Sequence, residues 1–207
     1  MTMAMPKTAI IDTGSANLNS VIQALKRLGC DPKVSCDASE LATCDRLIFP
    51  GVGAAASVMQ GIAERRLADF ITSASVPLLG ICLGMQVLGS SSEETEYGSK
   101  EPLVKTLDLV KERVLKLNSC GQHLPHMGWN TVHHGDHPLF EGIRDEAYFY
   151  FDHSYAMELG DCTIGKTTYG TTFTSALCRD HFMGVQFHPE KSGDAGSLLL
   201  QNFLKNF

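Results

Sequence analysis

Val76-Pro-Leu-Leu-Gly-Ile-Cys82-Leu-Gly-Met-Gln86 is the stretch on which the fold turns. Val76 to Ile81 is a short apolar run of the kind that forms a strand buried on both faces. Gly80 and Gly84 then flank Cys82, and apolar residues compatible with a helix follow. This is the cysteine version of a nucleophile elbow: flanking glycines let the chain turn sharply, so the central side chain stands at the carboxyl edge of a sheet. A thiol there lies near a helix N-terminus, whose partial positive charge favours the thiolate. The plainer alternative is a glycine-rich turn around an incidental buried cysteine.

Upstream of this stretch the same rhythm repeats. Thr8 to Asp12 reads as a strand ending at Gly14 and Ser15. Leu18, Val21, Ile22, Leu25 and Leu28 recur at helical spacing, and Gly29 closes that helix. Arg46 to Pro50 is a second clear strand, with a weaker one at Lys33 to Ser35. A single helix carrying Val58, Ile62, Leu67 and Phe70 follows. Strand and helix in alternation predict an α/β fold with a mostly parallel sheet covered on both faces.

Downstream the texture changes. Residues 90–100 are polar and irregular and read as a surface loop. Val110 to Leu117, Thr131-Val132, Ala147 to Phe151, Thr163 to Lys166, Phe173 to Cys178 and Met183 to Phe187 look like short strands joined by turns. Leu198, Leu199, Leu200 and Phe203 suggest a closing helix. With 207 residues and no repeat or linker, the chain reads as one domain, residues 1–207, whose second half adds antiparallel strands.

Composition narrows the function classes. Hydrophobic residues make up 43% and charged residues 19%, within the globular range. A net charge of −6 is an unsuitable surface for phosphate backbones, so nucleic-acid binding is set aside. No apolar run is long enough to span a membrane, and the first residues do not read as a secretory signal but as a frayed end. The seven cysteines are scattered without a C-x-x-C pair, which argues against a disulfide framework or zinc ribbon and for a reducing cytoplasm.

Two further segments carry chemistry. In Gly184-Val-Gln-Phe-His188-Pro-Glu190, an extended link through Pro189 would put His188 and Glu190 on one side, letting the carboxylate brace the imidazole. Nucleophile, base and orienter together form a triad whose chain order is free to vary. Pro50-Gly51-Val52-Gly53-Ala54 follows a strand, and its backbone N–H groups, with that of Leu83, could receive an oxyanion. It loosely fits a dinucleotide fingerprint, but Val76 to Ile81 ends without the acidic residue that reading needs. No cofactor and no metal are expected, and His133 to His137 reads as a polar turn rather than a metal site. Trp129, in Pro125-His-Met-Gly-Trp-Asn130, is expected in the core on composition alone. Tyr148 to Tyr155 alternates like a half-buried strand, serving either packing or a substrate pocket.

Taken together, the segments resemble the triad-type, class I glutamine amidotransferases along the whole chain. Pro-Gly-Val-Gly, Gly-Ile-Cys-Leu-Gly-Met-Gln and His-Pro-Glu identify the glutaminase. Asp12 to Asn19, Pro125 to Asn130 and Tyr148 to Tyr155 resemble the branch that serves imidazole glycerol phosphate synthases in histidine biosynthesis. The resemblance implies a flavodoxin-like class I amidotransferase fold. It implies Cys82 as nucleophile, His188 as general base and acid and Glu190 as its orienter, with the oxyanion hole at Gly51, Val52, Gly53 and Leu83. It further implies L-glutamine held by Gln86, His153, Ser154 and Tyr155. Trp129, Asn130 and Tyr150 would dock a cyclase subunit of (β/α)₈-barrel form in a heterodimer, with glutamine turnover nearly silent until that partner is loaded. Two positions depart from the family pattern: Asp152, where an apolar residue is expected, and Ala55-Ala56, where bulkier residues are common. Two rivals remain, a glutaminase of another synthase and a flavodoxin-like module with Cys82 as sensor thiol.

Overall fold

The computed structural model describes residues 5–14, 18–95 and 101–207. The expected frayed start at 1–4, the Ser15 end of the first strand and part of the 90–100 loop lie outside them. Thirteen strands are found among the described residues: β1 (Thr8–Ile11), β2 (Lys33–Ser35), β3 (Arg46–Gly51), β4 (Leu78–Cys82), β5 (Ser91–Ser92), β6 (Val104–Lys105) and β7 (Val114–Lys116). The remainder are β8 (His126–His134), β9 (Ala147–His153), β10 (Tyr155–Met157), β11 (Thr163–Tyr169), β12 (Thr171–Arg179) and β13 (Phe182–Val185). The helices are α1 (Leu18–Arg27), α2 (Ala38–Leu41), α3 (Ala55–Glu64), α4 (Ala68–Thr72), α5 (Leu83–Gln86) and α6 (Gly193–Asn206).

The parallel half runs β2-β1-β3-β4-β13, and from β13 the sheet continues antiparallel through β12 and β10. Side chains alternate across it. Ile10, Ile48, Leu79 and Ile81 pack with Val21 and Leu25 of α1 and Leu199 and Phe203 of α6. Ile11, Leu47, Phe49 and Leu78 pack on the opposite face with Leu41, Val58, Ile62 and Ile71 of α2, α3 and α4. That two-sided burial is why the strands read as continuous apolar runs. A branch of β11, β8 and β9 extends off β12.

Five expectations need correction. The single helix through Val58 and Phe70 is two helices, broken at Arg66, whose φ is 54°. Leu67 N–H donates to the Ile62 carbonyl and Arg66 N–H to that of Ala63, the paired bonds of a Schellman stop. Ile62 and Leu67 are both buried, so the break aims both residues inward and the apolar pattern runs on across it. In the polar loop, Ser91-Ser92 forms a strand, with Ser92 buried. The strand expected over Val110 to Leu117 shortens to β7, and Thr131-Val132 belongs to the nine-residue β8. Trp129 is not in the core: it is 55% exposed, because period-2 alternation along β8 turns it outward with Met127.

The elbow depends on glycine at close quarters. A Cβ on Gly80 would lie 2.7 Å from the Gly84 oxygen, and one on Gly84 would overlap the Phe49 carbonyl. Backbone packs directly on backbone there, with no flexible side chain to yield. Gly84→Ala should therefore lower unfolding stability by at least ~1–3 kcal/mol, the usual cost of overpacking. Urea unfolding measures it, and Gly29→Ala, where a Cβ meets nothing within 4 Å, calibrates backbone strain without a clash.

Candidate active site

Cys82 ends β4 with φ 53° and ψ −112°, a conformation an L residue rarely holds, and its thiol faces a cavity of about 280 Å³. The glycines at 80 and 84 allow that turn. On one side Gly51 pairs with Cys82 in the parallel ladder, so Gly51-Val52-Gly53 leaves β3 directly alongside the elbow. Gly53 has φ 96°, and Val52 and Gly53 line the cavity with Leu83. The loop and the elbow thus lie side by side, as an oxyanion pocket requires. The helix after the elbow is only one turn long, so the dipole favouring a thiolate is shorter than the sequence implied.

On the other side, β13 delivers His188. Its Nδ1 lies 2.8 Å from Glu190 Oε1, and both side chains are almost wholly buried. The contact arises differently from the expected extended link: His188 is extended, but Pro189–Lys191 is a 3-10 turn that swings Glu190 back. Burial alone would lower the imidazole pKa. The neighbouring Cys82 sulfur and the hydrogen-bonded Glu190 carboxylate outweigh it and lift His188 to about 10, so the ring is a proton donor at neutral pH. Glu190 Oε2 is buried without a hydrogen-bond partner among the described residues.

A hydrogen-bonded cluster closes the far wall, and carbonyl groups fix its direction. The Tyr155 carbonyl can only accept, and it accepts from Gln86 Nε2 at 2.8 Å and His153 Nδ1 at 2.8 Å. His153 Nε2 must then be the acceptor for His126 Nδ1 at 3.0 Å, and His126 Nε2 the acceptor for Asn130 Nδ2 at 3.2 Å. Burial holds both rings neutral, His126 at about 4 and His153 at about 3, the latter helped by its histidine neighbours. His153 lines the cavity, but both ring nitrogens are engaged by the protein, so it offers the cavity ring surface. Ser154, Tyr155 and Gln86 line it too.

Trp129 and Tyr150 sit opposite each other on β8 and β9, their rings 6.2 Å apart edge to face, with Lys191 Nζ 5.5 Å over the Tyr150 ring. Met127 and Tyr148 are exposed on the same face. The structure does not bring Asn130 to that patch. Alternation turns it inward, where Nδ2 also donates to the Thr168 carbonyl and Oδ1 accepts from Thr131 N–H. Asp152 lies on the outer face of β9, while Phe149 and Phe151 fill the apolar side, so its charge leaves the packing intact. Among the described residues no group of His, Cys, Asp or Glu is placed to hold a metal ion.

Sequence reading missed three residues around Cys82. Gln186 Nε2 points at Cys82 Sγ from 3.7 Å, and its Oε1 accepts from Gln86 Nε2 at 2.9 Å. Its signal was available: Gln186 and His188 flank Phe187, whose ring is buried, so the two approach Cys82 together. Glu94 and Lys191 also line the cavity. Burial raises the Glu94 carboxyl to about 7 against the opposing pull of the Ala55 N–H. Nothing in the polar pattern of residues 90–100 marked that residue as half-buried.

Protonated His188 stabilises the fold because its pKa lies above the ordinary value near 6.5. That contribution is complete below about pH 6.5 and disappears as pH rises through about 10. Urea unfolding of wild type and His188→Ala from pH 6 to 10.5 should show a stability gap that narrows across this window. A gap independent of pH would contradict the assignment.

Comparison with known proteins bears on this arrangement. The family described as glutamine amidotransferase class-I matches residues 9–207. The imidazole glycerol phosphate synthase subunit HisH of Shewanella loihica is 45% identical over 206 residues, covering 98% of this chain and 92% of that protein. The HisH subunit of Escherichia coli is 50% identical over 197 residues, covering 95% and 97%. Among solved structures, a glutamine amidotransferase aligns with a TM-score of 0.72 at 18% identity, covering 96% of this chain and 97% of the other. PurLQS from Thermotoga maritima aligns at 0.73 and 16% identity, covering 98% and 99%. The last two establish the fold. An elbow cysteine facing a buried His–Glu pair is thus accompanied by a match along nearly the whole sequence, and the chain belongs to the class-I glutamine amidotransferase family, beside the HisH subunits.

Proposed function

We propose that this chain is the glutaminase subunit of an imidazole glycerol phosphate synthase. It hydrolyses L-glutamine to glutamate and ammonia and passes the ammonia to a (β/α)₈-barrel cyclase in the cytoplasm. The observation that carries the reading is Cys82 on its strained elbow, sharing one cavity with an imidazole that a buried carboxylate braces at 2.8 Å. The 45–50% identity to HisH subunits supports the pathway over another synthase, and the His188–Glu190 pair is more than a sensor thiol needs.

The Cys82 thiolate attacks the side-chain amide carbon, and the carbonyl electron pair moves to oxygen. That oxyanion is received by backbone N–H groups of Leu83 and the Gly51–Gly53 loop. Protonated His188 gives its proton to the departing nitrogen, because an amide anion is too basic to leave. Neutral His188 then takes a proton from water, which attacks the thioester and releases glutamate while the C–S electron pair returns to sulfur. Glu190 keeps the imidazole oriented through both steps.

The cavity suits the amino-acid end of glutamine. Both N–H groups of Gln86 are engaged by Tyr155 and Gln186, which fixes this side chain in the wall of the cavity. Glu94 supplies a carboxylate for the α-ammonium, with Ser154 and Tyr155 lining the same wall. Trp129 and Tyr150, with Met127, Tyr148 and Lys191 beside them, form the face that docks the cyclase, and Asn130 supports the strand from behind. Ammonia made here would be protonated and lost in open water, so a capped active site feeding a barrel is chemically sensible.

Glutamate release from L-glutamine is the deciding assay, run on the chain alone and with its cyclase and the ribulosyl substrate. Near-zero release alone, a large rise in the complex and loss of that rise in Cys82→Ser are expected. Turnover surviving in Cys82→Ser would end the nucleophile assignment. A second expectation concerns Glu94. A cationic ligand needs the carboxylate ionised, so KM for glutamine should climb as pH falls below about 7 while kcat changes less. In Glu94→Gln the KM should be roughly tenfold higher, as for loss of a charge-assisted bond, and its rise at low pH should vanish.

A further inference from the structure

We infer that Gln186 is a further catalytic residue, an N–H donor that holds the Cys82 sulfur as a thiolate and receives its charge again when the thioester collapses. The inference deepens the glutaminase reading and rests on it for the thioester step. Its basis is direction rather than distance alone. The oxygen and nitrogen of a side-chain amide are hard to tell apart, but here a backbone group decides. The Tyr155 carbonyl can only accept, so the Gln86 atom 2.8 Å from it is nitrogen. The Gln186 atom that this nitrogen reaches at 2.9 Å is therefore oxygen. The remaining atom of the Gln186 amide, 3.7 Å from Cys82 Sγ, is then nitrogen and can only donate.

Gln186 is fully buried, so no water competes for that bond. The other groups at the sulfur behave differently. The Asp152 carbonyl, 3.9 Å away, accepts from the thiol and has nothing to offer a thiolate. His188 must surrender its proton during turnover, whereas the Gln186 amide keeps its hydrogens throughout. The helix after the elbow is one turn long, so a fixed amide donor supplements a short dipole. When water attacks the thioester, the C–S bond breaks with its electron pair going to sulfur, and Gln186 N–H faces that charge.

A donor that lowers a thiol's pKa by one unit raises its thiolate fraction roughly tenfold below the midpoint. It reduces intrinsic nucleophilicity only about threefold at a Brønsted slope near 0.4–0.5, so the balance favours catalysis. The titratable and charged groups facing the sulfur or its cavity are His188 with Glu190 behind it, His153, Glu94, Asp152, Tyr155 and Lys191. None of them is itself altered when Gln186 alone is changed.

The test is iodoacetamide alkylation of the full chain from pH 5 to 10.5, followed at Cys82 by peptide mass spectrometry, in wild type and Gln186→Met. It needs no glutamine turnover, so it stands or falls separately from the glutaminase reading. Methionine matches the shape and has no donor. The alkylation midpoint should rise by about one unit and the variant's alkaline plateau should lie up to about threefold above wild type, where a disordered site would stay slow at every pH. In the complex, kcat at neutral pH should fall roughly three- to tenfold. An unchanged midpoint would overturn the inference. Should Gln186→Met fail to fold, ¹⁵N side-chain amide spectra of wild type and Cys82→Ser serve instead. The Gln186 amide protons should shift through the Cys82 midpoint in wild type and not in Cys82→Ser, and the absence of that shift would overturn it equally.

Discussion

The positive φ of Cys82 is the constraint on which the site rests. A residue held this way costs on the order of 1–3 kcal/mol and persists only where its surroundings leave no alternative. Here the surroundings are backbone: Gly84 against Phe49, Gly80 against Gly84 and Met85, and Gly51 against Gly84. Because these contacts have no side chain between them, the elbow cannot relax without parting β3 from β4. The three catalytic contributions come from the carboxyl ends of adjacent parallel strands, β3 with the glycine loop, β4 with the thiol and β13 with the imidazole. Sites in parallel sheets gather at that edge because successive strands deliver their loops to one place.

Directionality is the second organising property. One backbone carbonyl, that of Tyr155, sets the orientation of two side-chain amides and the tautomers of two histidines, because it can only accept. The rings of His126 and His153 gain little from being charged in so buried a place, and neutrality gives each one donor and one acceptor. The result is a wall whose polarity is set before any substrate arrives. Preorganisation of that kind is what a reaction developing charge on oxygen and sulfur requires.

Most of the frame was legible in the sequence because it obeys local rules. Continuous apolar runs identified β1, β3 and β4, helical spacing identified α1 and an apolar cluster α6, and the glycines around Cys82 and the His188–Glu190 pair marked the chemistry. The Arg66 break escaped notice because a Schellman stop usually has glycine at its left-handed position, and arginine gives no such signal. Trp129 was misplaced by composition: a large aromatic is usually buried, yet strand alternation overrode that average. Asn130 was read outward with it, although neighbours on a strand face opposite ways. Glu94 was hidden for another reason. Its burial comes from elements far away in sequence, and no local pattern encodes that.

The catalytic segment also does something for the sheet. Among the described residues β9 pairs with β8 alone, so its other side would present open N–H and C=O groups. Instead the Tyr150 carbonyl accepts from His188 N–H at 2.8 Å, and Tyr150 N–H donates to Ser192 Oγ at 2.9 Å. The His-Pro-Glu turn is an edge guard, closing a border that could template strand addition and aggregation. Its backbone and its side chains therefore answer to different selective pressures. A lineage that abandoned glutamine hydrolysis could lose the imidazole and carboxylate freely, while deletion of the turn would uncover β9. Descendants without the activity should keep a loop of this length long after its chemistry has gone.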